Sequence, residues 1–129
     1  SGIAESRIPD PESTIAAIDT LKQRGKKLVL ILGGKSKGLD YWRLAEHIDR
    51  DIDAVIFLKS PLSEEISGLI GKHHESISHC DTLQQAVQLA AKKCDEGDRV
   101  LLSPAGEYFV YFKDKMPGYK NFRDMVERM

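Results

Sequence analysis

Short apolar runs separated by longer amphipathic stretches form the dominant pattern of this chain. The runs Leu28–Leu32 and Ala54–Leu58 are apolar at every position, which is typical of strands buried on both faces of a parallel sheet. Residues 99–102, R-V-L-L, indicate a third strand, and a weaker alternation over residues 75–80 indicates a short further strand. We therefore predict at least four strands.

The stretches between these runs carry apolar residues at helical spacing. Helix starts are predicted where a capping side chain precedes that spacing, at Asp10-Pro11, at Asp40, at Ser60-Pro61 and at the capping box Asp81-x-x-Gln84. Gly25 is expected to end the first helix and Glu96-Gly97 the fourth, with a final helix from Tyr119. The predicted inward faces are Ile15, Ala17, Ile18 and Leu21; Trp42, Ala45 and Ile48; Ile66, Leu69 and Ile70; and Leu83, Ala86, Val87 and Ala90.

The alternation of strand and helix predicts an α/β fold, a three-layer, Rossmann-like domain with a mainly parallel sheet and helices on both faces. With 129 residues, the chain is long enough for one domain, 1–129, and too short for two ordinary ones. Three loops are expected to meet at the carboxyl edge of the sheet, where open α/β sheets bind ligands. They are residues 33–38, 59–61 and 103–107.

Composition narrows the partners of this domain. The net charge is -1, so neither nucleic acid nor an anionic membrane surface is an expected partner. No apolar run approaches the roughly 20 residues of a membrane span, and the first residues lack the apolar core of a signal peptide. Two cysteines are too few for a disulfide framework, which makes the cytoplasm the expected compartment.

The glycine-rich loop over residues 33–38 is the strongest candidate site. It is neither a Walker A loop, because Gly38 is followed by Leu39, nor a G-x-G-x-x-G loop. Lys37 is a candidate point charge for a carboxylate or phosphate, and a solvated glycine turn is an equally open interpretation. After the last strand, Ser103 either offers its hydroxyl to an anion or belongs to a Ser-Pro turn that ends the strand.

Two further clusters favour structural roles. The order H-H-x4-H-C over His73, His74, His79 and Cys80 fits no common zinc spacing, so no metal site is predicted and an exposed helix end is favoured. Aromatic side chains at positions 108, 109, 111 and 112 suit either a stacking platform or core packing, and core packing is favoured.

Four ordered segments together resemble one known family. Residues 5–11, E-S-R-I-P-D-P, are similar to a D-S-K-A-T-N-P interdomain hinge, and residues 13–18, S-T-I-A-A-I, to the S-T-x-A-A-[LI] helix that follows it. Residues 32–40 resemble an [AL]-G-G-x-x-K-G-x-D loop, and residues 100–105 match V-L-L-S-P-A. In this order they resemble the C-terminal domain of the Mur ligases, most closely the members that add D-glutamate to UDP-N-acetylmuramoyl-L-alanine in peptidoglycan precursor synthesis.

The resemblance implies a domain that binds the incoming amino acid and closes over the nucleotide of an ATP-dependent amide-forming ligase. It implies no catalytic residue here, since ATP and Mg2+ bind mainly to a central domain; the central and N-terminal domains would be partners, with the amino acid and the UDP-linked precursor as substrates. The implied substrate-binding residues are Gly33, Gly34, Lys37, Ser103, Tyr108 and Lys115.

Other implied roles lie in the hinge and in two substituted positions. Glu5 and Arg7 would lie near the nucleotide, within a hinge remnant at residues 1–10. Tyr108 stands where the family has a carboxylate-binding serine, and Lys115 where it has an aromatic residue. These replacements leave an alternative open: a divergent paralogue or small-ligand-binding module on the same scaffold, without ligase activity.

Overall fold

Five strands form one sheet at the centre of the computed structural model, which describes residues 10–70, 74, 76–103 and 106–115. The helices are α1 (Pro11–Leu21), α2 (Trp42–Asp51), α3 (Pro61–Ser67) and α4 (Leu83–Lys93). The strands are β1 (Leu28–Leu32), β2 (Ala54–Leu58), β3 (Ile77–Cys80), β4 (Arg99–Ser103) and β5 (Glu107–Val110). Among the described residues, no helix combines the length and apolar character that crossing a membrane requires.

The sheet has the order β3-β2-β1-β4-β5. The first four strands pair in parallel, and β5 runs antiparallel to β4 at the edge. Since β1 and β2 are apolar throughout, each presents one set of alternate side chains to each face of the sheet. The core is therefore divided into two clusters by the sheet itself.

Helices cover both faces. Leu28, Leu30 and Leu32 of β1 belong to the cluster packed against α1, α2 and α3, whereas Val29 and Ile31 belong to the cluster packed against α4. The predicted α/β class, with a mainly parallel sheet between two helical layers, is confirmed.

Helix starts follow the predicted chemistry with two corrections of one residue each. The N-cap of α2 is Tyr41 and not Asp40, although the carboxylate of Asp40 accepts a hydrogen bond from the amide of Trp42 over 3.0 Å. The carboxylate of Asp10 accepts a hydrogen bond from the amide of Glu12, 3.0 Å away, and the hydroxyl of Ser60 caps α3. The box predicted at Asp81 is wrong by one residue: Thr82 is the N-cap of α4 and exchanges capping hydrogen bonds with Gln85.

Helix ends and one helix face differ from the predictions. The first helix ends at Leu21 and the fourth at Lys93, before the glycines expected to end them. In each helix the amide of the C-cap residue, Lys22 or Cys94, already donates to a carbonyl of the last turn. Trp42, expected to point inward, is 58% exposed. The buried stripe of α2 instead starts from Tyr41 and Leu44.

The strand β5 was not expected. Gly106 turns the chain at φ 71°, and residues 107–110 then pair with β4, Phe109 opposite Val100. Phe109 is buried while Tyr108 and Phe112 are exposed, so the aromatic segment combines core packing with a half-open edge. The helix predicted from Tyr119 lies outside the described residues.

Candidate functional site

The carboxyl ends of β1 and β4 form the point where the sheet changes winding direction. From β1 the chain passes through α2 to β2 on one side, whereas β4 joins β1 from the other side after α4. Such a switch point opens a crevice between the loops that leave the two strands. The glycine-rich loop and residues 103–107 leave from these two strands.

Backbone hydrogen bonds and one side chain bring the three predicted loops together. The amide of Gly33 donates to the carbonyl of Ser103 over 3.2 Å, and the amide of Gly34 donates to the hydroxyl of Ser60 over 3.0 Å. The amide of Leu62 in turn donates to the carbonyl of Gly34 over 3.1 Å. The predicted meeting of the loops is confirmed.

Steric constraints explain why both residues that open the loop are glycines. A Cβ on Gly33 would lie 2.7 Å from the Cβ of Leu58 on the neighbouring strand, closer than any real contact. Gly34 has φ 140°, a backbone conformation that residues with a side chain rarely adopt. The loop can leave β1 in this direction because neither position carries a side chain.

The backbone of Lys37 is fixed while its side chain is exposed. Its amide donates to the Oη of Tyr41 over 3.1 Å, and Gly38 follows in the left-handed region at φ 66°. The neighbouring hydroxyl of Ser36 donates to the carboxylate of Glu65 in α3. Within the described part of the chain, no carboxylate forms an ion pair with Lys37. Its ammonium group is available to an external anion.

The side chain of Ser103 faces α1. Ser103 is 3% exposed, and its hydroxyl lies 2.8 Å from the Oγ1 of Thr14. A cavity of about 30 Å³ adjoins the pair, lined also by Ala17, Leu101 and Gly106. The hydroxyl of Ser103 thus joins the end of β4 to α1. The hydrogen bond between Ser103 and the glycine-rich loop is made by the backbone carbonyl of Ser103.

Comparison with known proteins agrees with this geometry. Residues 10–106 match the family model described as "Mur ligase, glutamate ligase domain". The chain belongs to the Mur ligase family. The match covers the described sheet as far as the turn before β5.

Several relatives carry the same name. The chain is 34% identical over 128 residues to the UDP-N-acetylmuramoylalanine--D-glutamate ligase of Marinobacter nauticus, covering 97% of this chain and 28% of that protein. It is 32% identical over 126 residues to the ligase of that name from Ruminiclostridium cellulolyticum, covering 92% and 26%. For Coxiella burnetii the identity is 34% over 120 residues, covering 91% and 26%. The chain spans about a quarter of the length of these relatives.

The structure brings some residues expected from the Mur ligase resemblance together and separates others. Gly33, Gly34, Lys37 and the backbone of Ser103 meet at the switch point. Tyr108 pairs with Leu101 on the edge strand and is 51% exposed. Glu5 and Arg7 lie outside the described residues.

Lys115 is far from this Mur ligase loop because β5 runs back along the sheet. At the end of β5, the amide of Tyr111 donates to the carbonyl of Asp98 over 2.7 Å, and the amide of Lys113 donates to the carboxylate of Glu96 over 2.6 Å. Both partners precede β4, so Lys115 lies at the amino end of the parallel strands.

His74 and His79 each contact a different part of the fold. His74 lies beside the carbonyl of Ile52, with its Nε2 2.7 Å away, and His79 stacks on Phe57 with ring centroids 5.5 Å apart. His73 lies outside the described residues. Among the residues that the structure describes, no three His, Cys, Asp or Glu side chains are placed to hold a metal ion.

Shifted pKa values mark the amino end of the sheet. A hydrogen bond to Asp95 raises the pKa of Lys27, and burial raises the pKa of the Cys94 thiol to about 11. Both groups lie beside Asp98. Its buried carboxylate accepts hydrogen bonds from the backbone amides of Lys27 and Asp95, over 2.9 and 2.7 Å. This cluster joins the start of β1 to the start of β4, away from the glycine-rich loop.

Proposed function

We propose that this chain is the amino-acid-binding domain of a D-glutamate-adding Mur ligase of peptidoglycan precursor synthesis, acting in the cytoplasm. In this reaction the amino group of D-glutamate attacks the carbonyl carbon of an acyl phosphate on the UDP-linked muramoyl-alanine. The carbon–oxygen bond to phosphate breaks, and the amide forms. The proposed task of this chain is to bind a carboxylate of D-glutamate and so to orient the amine.

The observation that carries the proposal is the ammonium group of Lys37, which is exposed and has no ion-pair partner among the described residues, on a backbone held at the switch point. A lysine supplies a compact positive charge that binds a carboxylate through charge-assisted hydrogen bonds. The loop enters the crevice on two glycines, so an amino acid can approach its backbone closely. Arginine or lysine side chains that already carry an ion pair would offer no such charge.

ATP and Mg2+ are assigned to other parts of the ligase. Residues 34–36 read Gly-Lys-Ser, but Val29 stands where a Walker A loop has its first glycine, and Gly38 is followed by Leu39. The glycine-rich loop therefore does not fit a nucleotide site of that kind. The proposed partners are therefore the central and N-terminal domains, which would carry the nucleotide and the UDP-linked precursor. Closure of this domain onto them would complete the site.

A small-ligand-binding module without ligase activity is the second candidate. It is favoured by the hydroxyl of Ser103, which is already bonded to Thr14, and by the distance of Lys115 from the loop. A carboxylate pocket with fewer side-chain partners than expected would accept a different anion from the one that the family uses. The two candidates differ in their selectivity for D-glutamate.

Titration of the labelled chain with D-glutamate, followed by amide chemical shifts in NMR spectra, tests the proposal. We expect the shifts to concentrate in residues 33–38 and to be larger than those caused by L-glutamate at equal concentration. Lys37→Ala should abolish them. Lys35→Ala is the matched control, because Lys35 is a second exposed lysine in the loop, and it should preserve them. Equal shifts in both variants, or equal shifts from both enantiomers, would contradict the proposal.

A further inference from the structure

The side chain of Tyr41 connects the glycine-rich loop to the core. Tyr41 is 2% exposed and is one of the largest fully buried side chains among the described residues. It packs in the cluster that α1 and α2 share with the sheet. A phenol buried this deeply normally finds a hydrogen-bond partner, and here its Oη accepts the amide proton of Lys37.

Other contacts of the loop hold different residues. Gly34 is held by Ser60 and Leu62, and Ser36 is held by Glu65 at the surface. Among the hydrogen bonds in the described part of the chain, Lys37 takes part in the one that its amide donates to the hydroxyl of Tyr41. Lys37 is therefore tied to the buried core of the domain through the hydroxyl of Tyr41.

We propose that Tyr41 is a positioning residue for the anion site: its hydroxyl holds the Lys37 backbone so that the ammonium group extends from a fixed point. This inference rests on the proposed function, in which Lys37 binds a carboxylate of D-glutamate. A fixed starting point lowers the cost of ordering the Lys37 side chain when the ligand binds. A phenylalanine in the same place would fill the core equally well and would leave the amide without this acceptor.

Tyr41→Phe tests the role, with Tyr111→Phe as the matched control. Tyr111 is partly buried against the α4 side of the sheet, at the end opposite the loop, so its phenol can be changed without touching Lys37. Two quantities are measured on each chain: the hydrogen-exchange protection of the Lys37 amide and the dissociation constant for D-glutamate. Unfolding by urea shows that each variant is folded.

In Tyr41→Phe we expect the protection of the Lys37 amide to fall roughly three- to tenfold, as loss of one hydrogen bond implies. The dissociation constant for D-glutamate should rise about threefold or more, and Tyr111→Phe should change neither quantity. Unchanged protection in Tyr41→Phe would overturn the anchor. Lower protection with unchanged affinity would overturn the positioning role, because the contact would then be structural only.

Failure of the proposed function has a different signature. If Lys37→Ala binds D-glutamate as tightly as the unsubstituted chain while Tyr41→Phe still loses protection at Lys37, the assignment of the ligand to Lys37 is wrong and the anchor stands. Hydrogen exchange thus reports on Tyr41 independently of the ligand.

Discussion

Gly33→Ala perturbs the site at the point where β1 meets its loop. The register places Leu32 beside Phe57, so Gly33 comes beside Leu58. The new Cβ would lie 2.7 Å from the Cβ of Leu58, whereas ordinary van der Waals contact begins at 3.4 Å. The obstructing atom is a Cβ, which cannot rotate away, so the backbones of the two strands must separate.

Overpacking of this kind costs about 1–3 kcal/mol of unfolding free energy, which corresponds to a fall in Tm of roughly 4 °C per kcal/mol for a chain of this size. Urea unfolding followed by circular dichroism measures the change. Gly68→Ala is the control, because Gly68 has helical backbone angles and a Cβ there meets only ordinary contacts. That variant should be more stable by about 0.4–1 kcal/mol.

The two substitutions add the same methyl group, so their opposite signs isolate the steric argument. Gly33→Ala should also shift the amide resonances of the loop, because its hydrogen bonds to Ser103 and Ser60 depend on the strand ending in place. Equal stability of the two variants, or a more stable Gly33→Ala, would refute the close approach of Gly33 and Leu58.

Three further predictions concern the supports of the site and the opposite end of the sheet. Ser60→Ala should lower stability by about 1–2 kcal/mol in urea unfolding, because it removes a helix cap and the acceptor of the Gly34 amide. Asp98→Ala should cost about 3 kcal/mol in the same assay, since a buried carboxylate that accepts two amides is lost. The pKa of Cys94 is raised from 9.0 to about 11 in the folded chain, so the thiol ionises at a lower pH in the unfolded chain. The free energy of unfolding should therefore fall as the pH rises between these two values, and Cys94→Ala should make this fall shallower.

The fold was largely accessible from local patterns, because β1 and β2 are apolar at every position and helices separate them. The face that α2 turns to the core could not be predicted in this way. Trp42 lies at the first helical residue, where its side chain can turn to solvent, and Tyr41 just before it takes the buried position. Strand β5 was missed because the aromatic run at residues 108–112 suits core packing or a stacking platform as well as a strand, and its edge position leaves Tyr108 exposed.

The site was accessible in part for a related reason. Two glycines and a lysine after a buried strand are a local signal, and the topology places them at the switch point. The contacts that hold them join distant residues: Ser103 bonds to Thr14, 89 positions away, and the roles of such hydroxyls depend on the assembled sheet. Tyr41 is only four residues from Lys37. The pattern of apolar positions can predict that its ring is buried, but it does not predict the partner of its hydroxyl.

The most direct test of the central claim is ligation by a chimera in which this chain replaces the matching quarter of the Marinobacter nauticus ligase. Phosphate release is measured with ATP, UDP-N-acetylmuramoyl-L-alanine and increasing D-glutamate. We predict D-glutamate-dependent release, with KM for D-glutamate raised about tenfold or more by Lys37→Ala, as loss of a charged hydrogen bond implies, and unchanged by Lys35→Ala. An active chimera whose KM for D-glutamate is the same in both variants would contradict the claim that Lys37 binds the incoming amino acid.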